Sequence, residues 1–218
     1  MDETDAAVGH LVRLIEAAAP EQRARVANWI GEAIGDTTFV GPEGLILARI
    51  TETLCRDEAI NVRQILSEHV LHNEHLPPAI ARRMAQDVDS IAVPFIRRSE
   101  ALTDPDLLRL VRQNNTLRQL SVARRDQVSQ SVSHALIDTG KMPIVKGLVA
   151  NSGAEIHEAD FDLVLRIFGN VASVTHLLAR RMDLPNTIAR QLGRTSQTGA
   201  AQRRPQLAGA SPHWLSKS

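Results

Sequence analysis

The stretch TDPDLLRLVRQNNTLRQLSVARR, residues 103–125, decides the fold. Thr103 precedes Asp104-Pro105-Asp106, which reads as a helix N-terminal cap with an acid three residues on. Leu107, Leu108, Leu110 and Val111 then recur at helical spacing. Gln113-Asn114-Asn115 is a polar turn, and Leu117, Leu120, Val122 and Ala123 make a second helix. Two helices this short cannot bury their apolar stripes alone. They must stack on neighbours, which is the logic of an alpha solenoid.

Working outward, the chain repeats. Leu76-Pro77-Pro78-Ala79-Ile80-Ala81-Arg82 and Leu184-Pro185-Asn186-Thr187-Ile188-Ala189-Arg190 are near copies 108 residues apart, room for four units of about 27. Helix starts fall near Asp104-Pro105, Val128 and His157. Further pairs cover 128–138 with 143–150, where Gly140 is a stop, and 161–168 with 171–182, parted by Gly169-Asn170. Upstream, Leu11, Leu14, Ile15 and Ala18 share one face, and Pro20 ends that helix. Val26, Trp29, Ile30 and Ile34 are expected inward on the next. GDTTFVGPEG, residues 35–44, is read as a loop. Leu45, Ala48, Ile50, Thr53 and Leu54 open a third helix, and Val62, Ile65, Leu66, His69 and Val70 face a fourth. No segment alternates with period two, so no strand is expected.

The predicted fold is all-α: a HEAT-like alpha solenoid of short helix pairs. Residues 1–43 form an N-terminal helical cap, 44–192 the repeats, and 193–218 a flexible basic tail. That tail has no acid and a charge of +4, against −4 for residues 1–40.

Composition excludes several functions. The chain has 218 residues, 25 basic and 25 acidic, so net charge is zero and a generally basic nucleic-acid binder is disfavoured. Aromatics are 3% with no Tyr, too few for a base-stacking platform. One Cys rules out an intrachain disulfide framework and a cysteine zinc site. No apolar run approaches the roughly 18 residues that span a bilayer, and the acidic start MDETDAAVGH is neither signal nor transit peptide. A cytoplasmic protein is expected.

Three stretches carry a resemblance: VDSIAVPFIRRSEALTDPDLLRLVRQ from residue 88, QLSVARRDQVSQSVSHALIDTG from 119, and IVKGLVANSG from 144. Over roughly residues 44–192 the chain resembles the alphaproteobacterial domain-of-unknown-function family numbered 2336. The resemblance implies a scaffold of HEAT-type helical repeats and no assigned catalytic residues.

Arginine is the clearest chemical feature. It supplies 22 of the 25 basic residues, ten of them in adjacent pairs. Arg97-Arg98, Arg124-Arg125 and Arg180-Arg181 close second helices of repeats. A planar, always-charged fork suits carboxylate and phosphate, and stacking could align the pairs into a ladder for an acidic partner. The alternative is that cations at helix C-termini complement the dipole, cap free carbonyls, or pair with Glu100, Asp126 and Asp183. The unit ending at Ala150-Asn151-Ser152 lacks its pair.

Other candidates are weaker. His69, His72 and His75 drift round a helix end, and His157-Glu158 lacks the second His of a zincin, so no metal is expected. Phosphate-loop, dinucleotide and nucleophile-elbow motifs are absent, and no cofactor is expected. Ser129, Ser131 and Ser133 read as solvated surface, Cys55 as a small core residue, and Pro94 as a structural kink. Pro212-His213-Trp214-Leu215 could dock as a short motif. The leading expectation is a non-enzymatic scaffold or regulatory adaptor that binds a protein partner. The second is a nucleic-acid-binding repeat using the arginine pairs on phosphates. The third is a DNA-acting enzyme of base-excision type, which would need groove carboxylates and aromatics that are scarce here.

Overall fold

The computed structural model describes residues 3–35 and 37–202. Among them are thirteen α-helices and no strand, in two compact units divided between His157 and Glu158. The first unit holds α1 (Glu3–Ala17), α2 (Pro20–Ile34), α3 (Gly41–Leu54), α4 (Ile60–Val70), α5 (Pro78–Ala85), α6 (Asp89–Arg98), α7 (Asp104–Arg112), α8 (Thr116–Ala123), α9 (Gln130–Asp138) and α10 (Met142–Val149). The second holds α11 (Glu158–Phe168), α12 (Ala172–Ala179) and α13 (Asn186–Gln202), each packed on the other two.

The repeat predicted from the two near-copies is present. Helices α5, α7, α9, α11 and α13 start at Pro78, Asp104, Gln130, Glu158 and Asn186, at intervals of 26, 26, 28 and 28 residues. Four helix pairs therefore lie between the two Leu-Pro starts. Within the first unit α2, α4, α6, α8 and α10 pack each on the next, forming one continuous row. The partner helices lie against that row, with α1 on α3 and α7 on α9. Within residues 1–43, α2 joins the row and α1 packs on α3.

Buried stripes follow helical spacing. Leu107, Leu110 and Val111 of α7 are buried, as are Val132, Leu136 and Ile137 of α9 and Ile144, Val145, Leu148 and Val149 of α10. The Thr103 cap forms as read: Asp106 Oδ2 accepts the Thr103 hydroxyl at 2.7 Å and its backbone N–H at 3.4 Å.

Three expectations need correction. First, α3 begins at Gly41, inside the stretch read as loop. Pro42 occupies the first turn, where its missing N–H costs nothing, and the loop proper ends at Val40. Second, the face that α2 turns inward shares only Ile34 with the expected one. Arg23, Ala27, Gly31 and Ile34 are buried, while Trp29 is 69% exposed. Small residues let α4 come close: a Cβ on Gly31 would overlap the His69 side chain. The largest side chain is therefore pushed out, not in. Leu11 and Leu14 of α1 and Leu45 of α3 are likewise exposed, and Ile15, Ile50 and Leu54 supply the core there. Third, α13 runs to Gln202, through the first ten residues read as tail. Ala, Gln and Arg are good helix formers, and Gly193 and Gly199 cost only about 1 kcal/mol each. The rest of that tail, Trp214 included, lies outside the described residues. No helix among the described residues is long and apolar enough to cross a membrane.

Candidate functional site

A helix leaves its last four carbonyls without partners. In the α2–α10 row a donor just beyond one helix supplies them to the previous one. Asn73, after α4, donates Nδ2 to Gly35 O at 2.7 Å and Thr37 O at 3.1 Å, where α2 ends. Arg125, after α8, donates Nη1 to Ile96 O and Nη2 to Ser99 O (2.8 Å) at the end of α6. Asn151, after α10, donates Nδ2 to Ala123 O at 3.0 Å and Arg125 O at 2.6 Å at the end of α8. Asn151 stands where the sequence showed a missing arginine pair. A short amide does there what a guanidinium does one repeat earlier.

The predicted pairs therefore divide. Arg125 is turned into the fold. Burial holds its pKa below the usual arginine range, although Asp126, Asp104 and Glu100 pull the other way. Arg181 is also taken up: its side chain is 4% exposed, it grips Asp183 at 2.7 and 2.8 Å, and it lies 5.6 Å over the Phe161 ring. Arg97, Arg98, Arg124 and Arg180 are exposed, with no side-chain hydrogen bond or ion pair among the described residues. The buried doublets Phe95-Ile96, Val122-Ala123 and Leu148-Val149 close α6, α8 and α10. On that register Arg97 and Arg124 are equivalent, Ala150 takes the same place, and Arg98, Arg125 and Asn151 follow them.

Sequence reading missed a second set of cations, on buried faces. Arg23 of α2 donates Nε and Nη2 to Asp57 at 2.6 and 3.0 Å, just before α4. Arg63 of α4 donates the same two nitrogens to Asp87 at 2.8 Å each, just before α6, and Nη1 to Asp57 O at 2.5 Å. Burial works against the Asp87 charge, but the Arg63 hydrogen bonds, the Val88 N–H and the Arg63 and Arg83 charges hold its carboxyl below the usual range. Asp106 behaves alike: burial opposes its charge, while Thr103 and Arg82 keep it low. The available signal was an arginine in phase with the apolar stripe, at Arg63 between Val62 and Leu66.

The remaining candidates are placed as follows. His69 is hydrogen-bonded to Asn28 at 3.1 Å, and His75 lies 3.5 Å from Glu74. Cys55 is 1% exposed, and burial pushes its thiol up to about 11. Ser129 and Ser131 meet at the surface, 3.1 Å apart, and only Ser133 departs from the expected solvated face. Ser129 caps α9 by accepting from Val132 N–H, Ser131 donates to Asp104, and Ser133 is buried. Pro94 lies inside α6.

The model of a family described as uncharacterised protein conserved in bacteria (DUF2336) matches residues 91–210. No curated protein and no solved structure matches the chain.

Proposed function

The chain belongs to the DUF2336 family of bacterial proteins, and we propose that it works in the cytoplasm as a non-enzymatic helical-repeat scaffold that captures a protein partner. One observation carries this reading. Arg97, Arg98 and Arg124 close successive helices of the row, and the fold uses none of their side chains. Their neighbours differ: Arg125 is committed to carbonyls of α6. A cation needed only for the helix dipole would be satisfied by one member of each pair. The exposed member, with Arg97 beside it, is free to grip a carboxylate in a bidentate fork. Arg180 offers the same group in the second unit.

The test is affinity capture from the native cell with the full chain and with an Arg98→Gln/Arg124→Gln variant. Capture should fall in the variant while the melting temperature holds. A nucleic-acid partner would show itself by salt dependence. Binding to unrelated duplexes would weaken steeply, and the log–log slope would lose about 0.9 for each phosphate contact removed.

A further inference from the structure

A cleft of about 360 Å³ opens between α3 and α5. Arg56, Arg82 and Arg83 line it with Glu52, Cys55 and Gln86. Arg82-Arg83 is one of the five adjacent arginine pairs, but none of these residues belongs to the capture surface proposed above. Each guanidinium keeps donors unspent. Arg56 commits Nη2 to Glu52 at 2.6 Å, in an ion pair whose arginine is 65% exposed. Arg82 commits Nε to Asp106 Oδ1 at 2.8 Å and leaves both terminal nitrogens. Arg83 is exposed, and its side chain has no hydrogen bond or ion pair among the described residues.

The arrangement is fixed from beneath. Asp106 is buried, and its other oxygen accepts the Thr103 hydroxyl and N–H. The carboxylate that orients Arg82 is thus itself held, which preorganises the outward edge of the fork. Arg109 lies 3.8 Å from the same carboxylate. Arg56, Arg82 and Arg83 therefore face two carboxylates, Glu52 and Asp106, and one positive charge is left over. The charges of Arg56 and Arg83 both reach the Cys55 thiol, where they oppose the upward push of burial.

We propose that this cleft is a binding site for a phosphomonoester dianion, with Arg82 and Arg83 as its main donors and Arg56 swinging from Glu52 to complete it. A single carboxylate would use one fork and leave the other guanidinium edges unspent. A phosphate dianion offers three acceptor oxygens to several guanidinium edges at once. The phosphate could be carried by a small molecule or by a phosphorylated side chain of a protein. The site does not depend on the scaffold reading, because its residues and those of the capture surface are different.

The experiment uses the full chain and calorimetric titration with inorganic phosphate, O-phosphoserine and a short phosphoserine peptide at constant ionic strength. Saturable binding of phosphate and phosphoserine is expected. Arg83→Gln should weaken it about tenfold or more, the loss of one charge-assisted bond. This variant breaks no internal contact, so its melting curve should match the parent. Arg98→Gln should bind phosphoserine like the parent. Affinity for phosphoserine should fall about tenfold per pH unit below its second pKa of about 6, since the dianion is the bound form. A peptide bound much more tightly than free phosphoserine assigns the phosphate to a protein. Equal affinities assign it to a small molecule. Absence of saturable binding, or equal binding by Arg83→Gln, would overturn the site and leave the capture experiment on Arg98 and Arg124 unaffected.

Discussion

The two halves of the first unit tie one repeat to the next by different chemistry. From α2 to α6 buried ion pairs, Arg23 with Asp57 and then Arg63 with Asp87, add to the Asn73 cap on the end of α2. From α6 to α10 the ties are neutral-acceptor caps: Arg125 on the carbonyls of α6, then Asn151 on those of α8. Both join a helix of the continuous row to the loop beside its neighbour. They differ in what happens when one partner is removed. A severed ion pair leaves a charge in a dry place, whereas a severed cap leaves two dipoles. Ion pairs also need an ionised acid, and carbonyls do not titrate.

The largest effect should come from breaking an ion pair. Asp87→Ala strands the Arg63 guanidinium, whose side chain is 11% exposed. A loss of about 3–5 kcal/mol is expected, read by denaturant unfolding. A loss below about 1 kcal/mol would mean that the Asp57 and Glu58 carbonyls, which Arg63 also reaches, hold it alone.

Acid should separate the halves without mutation. The folded carboxyls of Asp87 and Asp106 lie below their ordinary value. A depressed folded pKa gives stability that is present above the unfolded value of about 3.9 and disappears as pH falls through the folded one. Melting temperature should therefore be flat with respect to these groups down to about pH 5, then drop below about pH 4. Asp183, lowered chiefly by its Arg181 hydrogen bond, adds a like but more exposed contribution in the second unit. The Arg125 and Asn151 caps add no slope there. Hydrogen exchange at pH 3 should show α2 to α6 opening before α8 to α10, and the reverse order would break the comparison.

The two regions also differ in how legible they were. The α7–α8 pair was read from Thr103-Asp104-Pro105-Asp106 because capping is local chemistry, written within four residues. The Leu-Pro starts at Leu76 and Leu184 gave the period because a helix start repeats as a short word. The inward face of α2 was not legible. Hydrophobic spacing favours Trp29, but the close approach of α4 selects Ala27 and Gly31, a fact about a helix some forty residues away. The arginine pairs were visible, yet their division was not. Whether Arg124 or Arg125 turns inward depends on where the α6 carbonyls lie. Asn151, dismissed in the sequence as a gap in the ladder, is a member of the capping series under another side chain.

Caps should cost less than ion pairs. Asn151→Ala removes both donors to Ala123 O and Arg125 O. A loss of about 1–3 kcal/mol is expected, the range for leaving a partly buried acceptor unmade, with no change in the acid slope. Asn151→Asp should be worse than its size suggests, because it presents an acceptor to two acceptors.

The smallest effect on stability, and the largest on function, belongs to the exposed arginines. Arg98→Gln and Arg124→Gln remove charges that touch nothing in the fold, so each should change stability by no more than about 0.5 kcal/mol. Arg125→Gln, one residue along, gives up the fork that spans Ile96 O and Ser99 O and should cost about 1–2 kcal/mol. The adjacent pair thus becomes its own control: same residue type, same substitution, opposite orientation. If partner capture depends on the exposed members, Arg98→Gln and Arg124→Gln weaken it at constant melting temperature, while Arg125→Gln lowers the melting temperature and spares capture at temperatures where the variant is folded. Raising salt should mimic the exposed variants, since solvent-exposed pairs are screened within about 8–10 Å, and should leave the buried Arg125 cap unmoved. Unchanged capture in both exposed variants would take these arginines out of the functional surface. Capture and stability lost together at Arg124 would show that it, too, serves the fold, and the division between inward and outward arginines would fail.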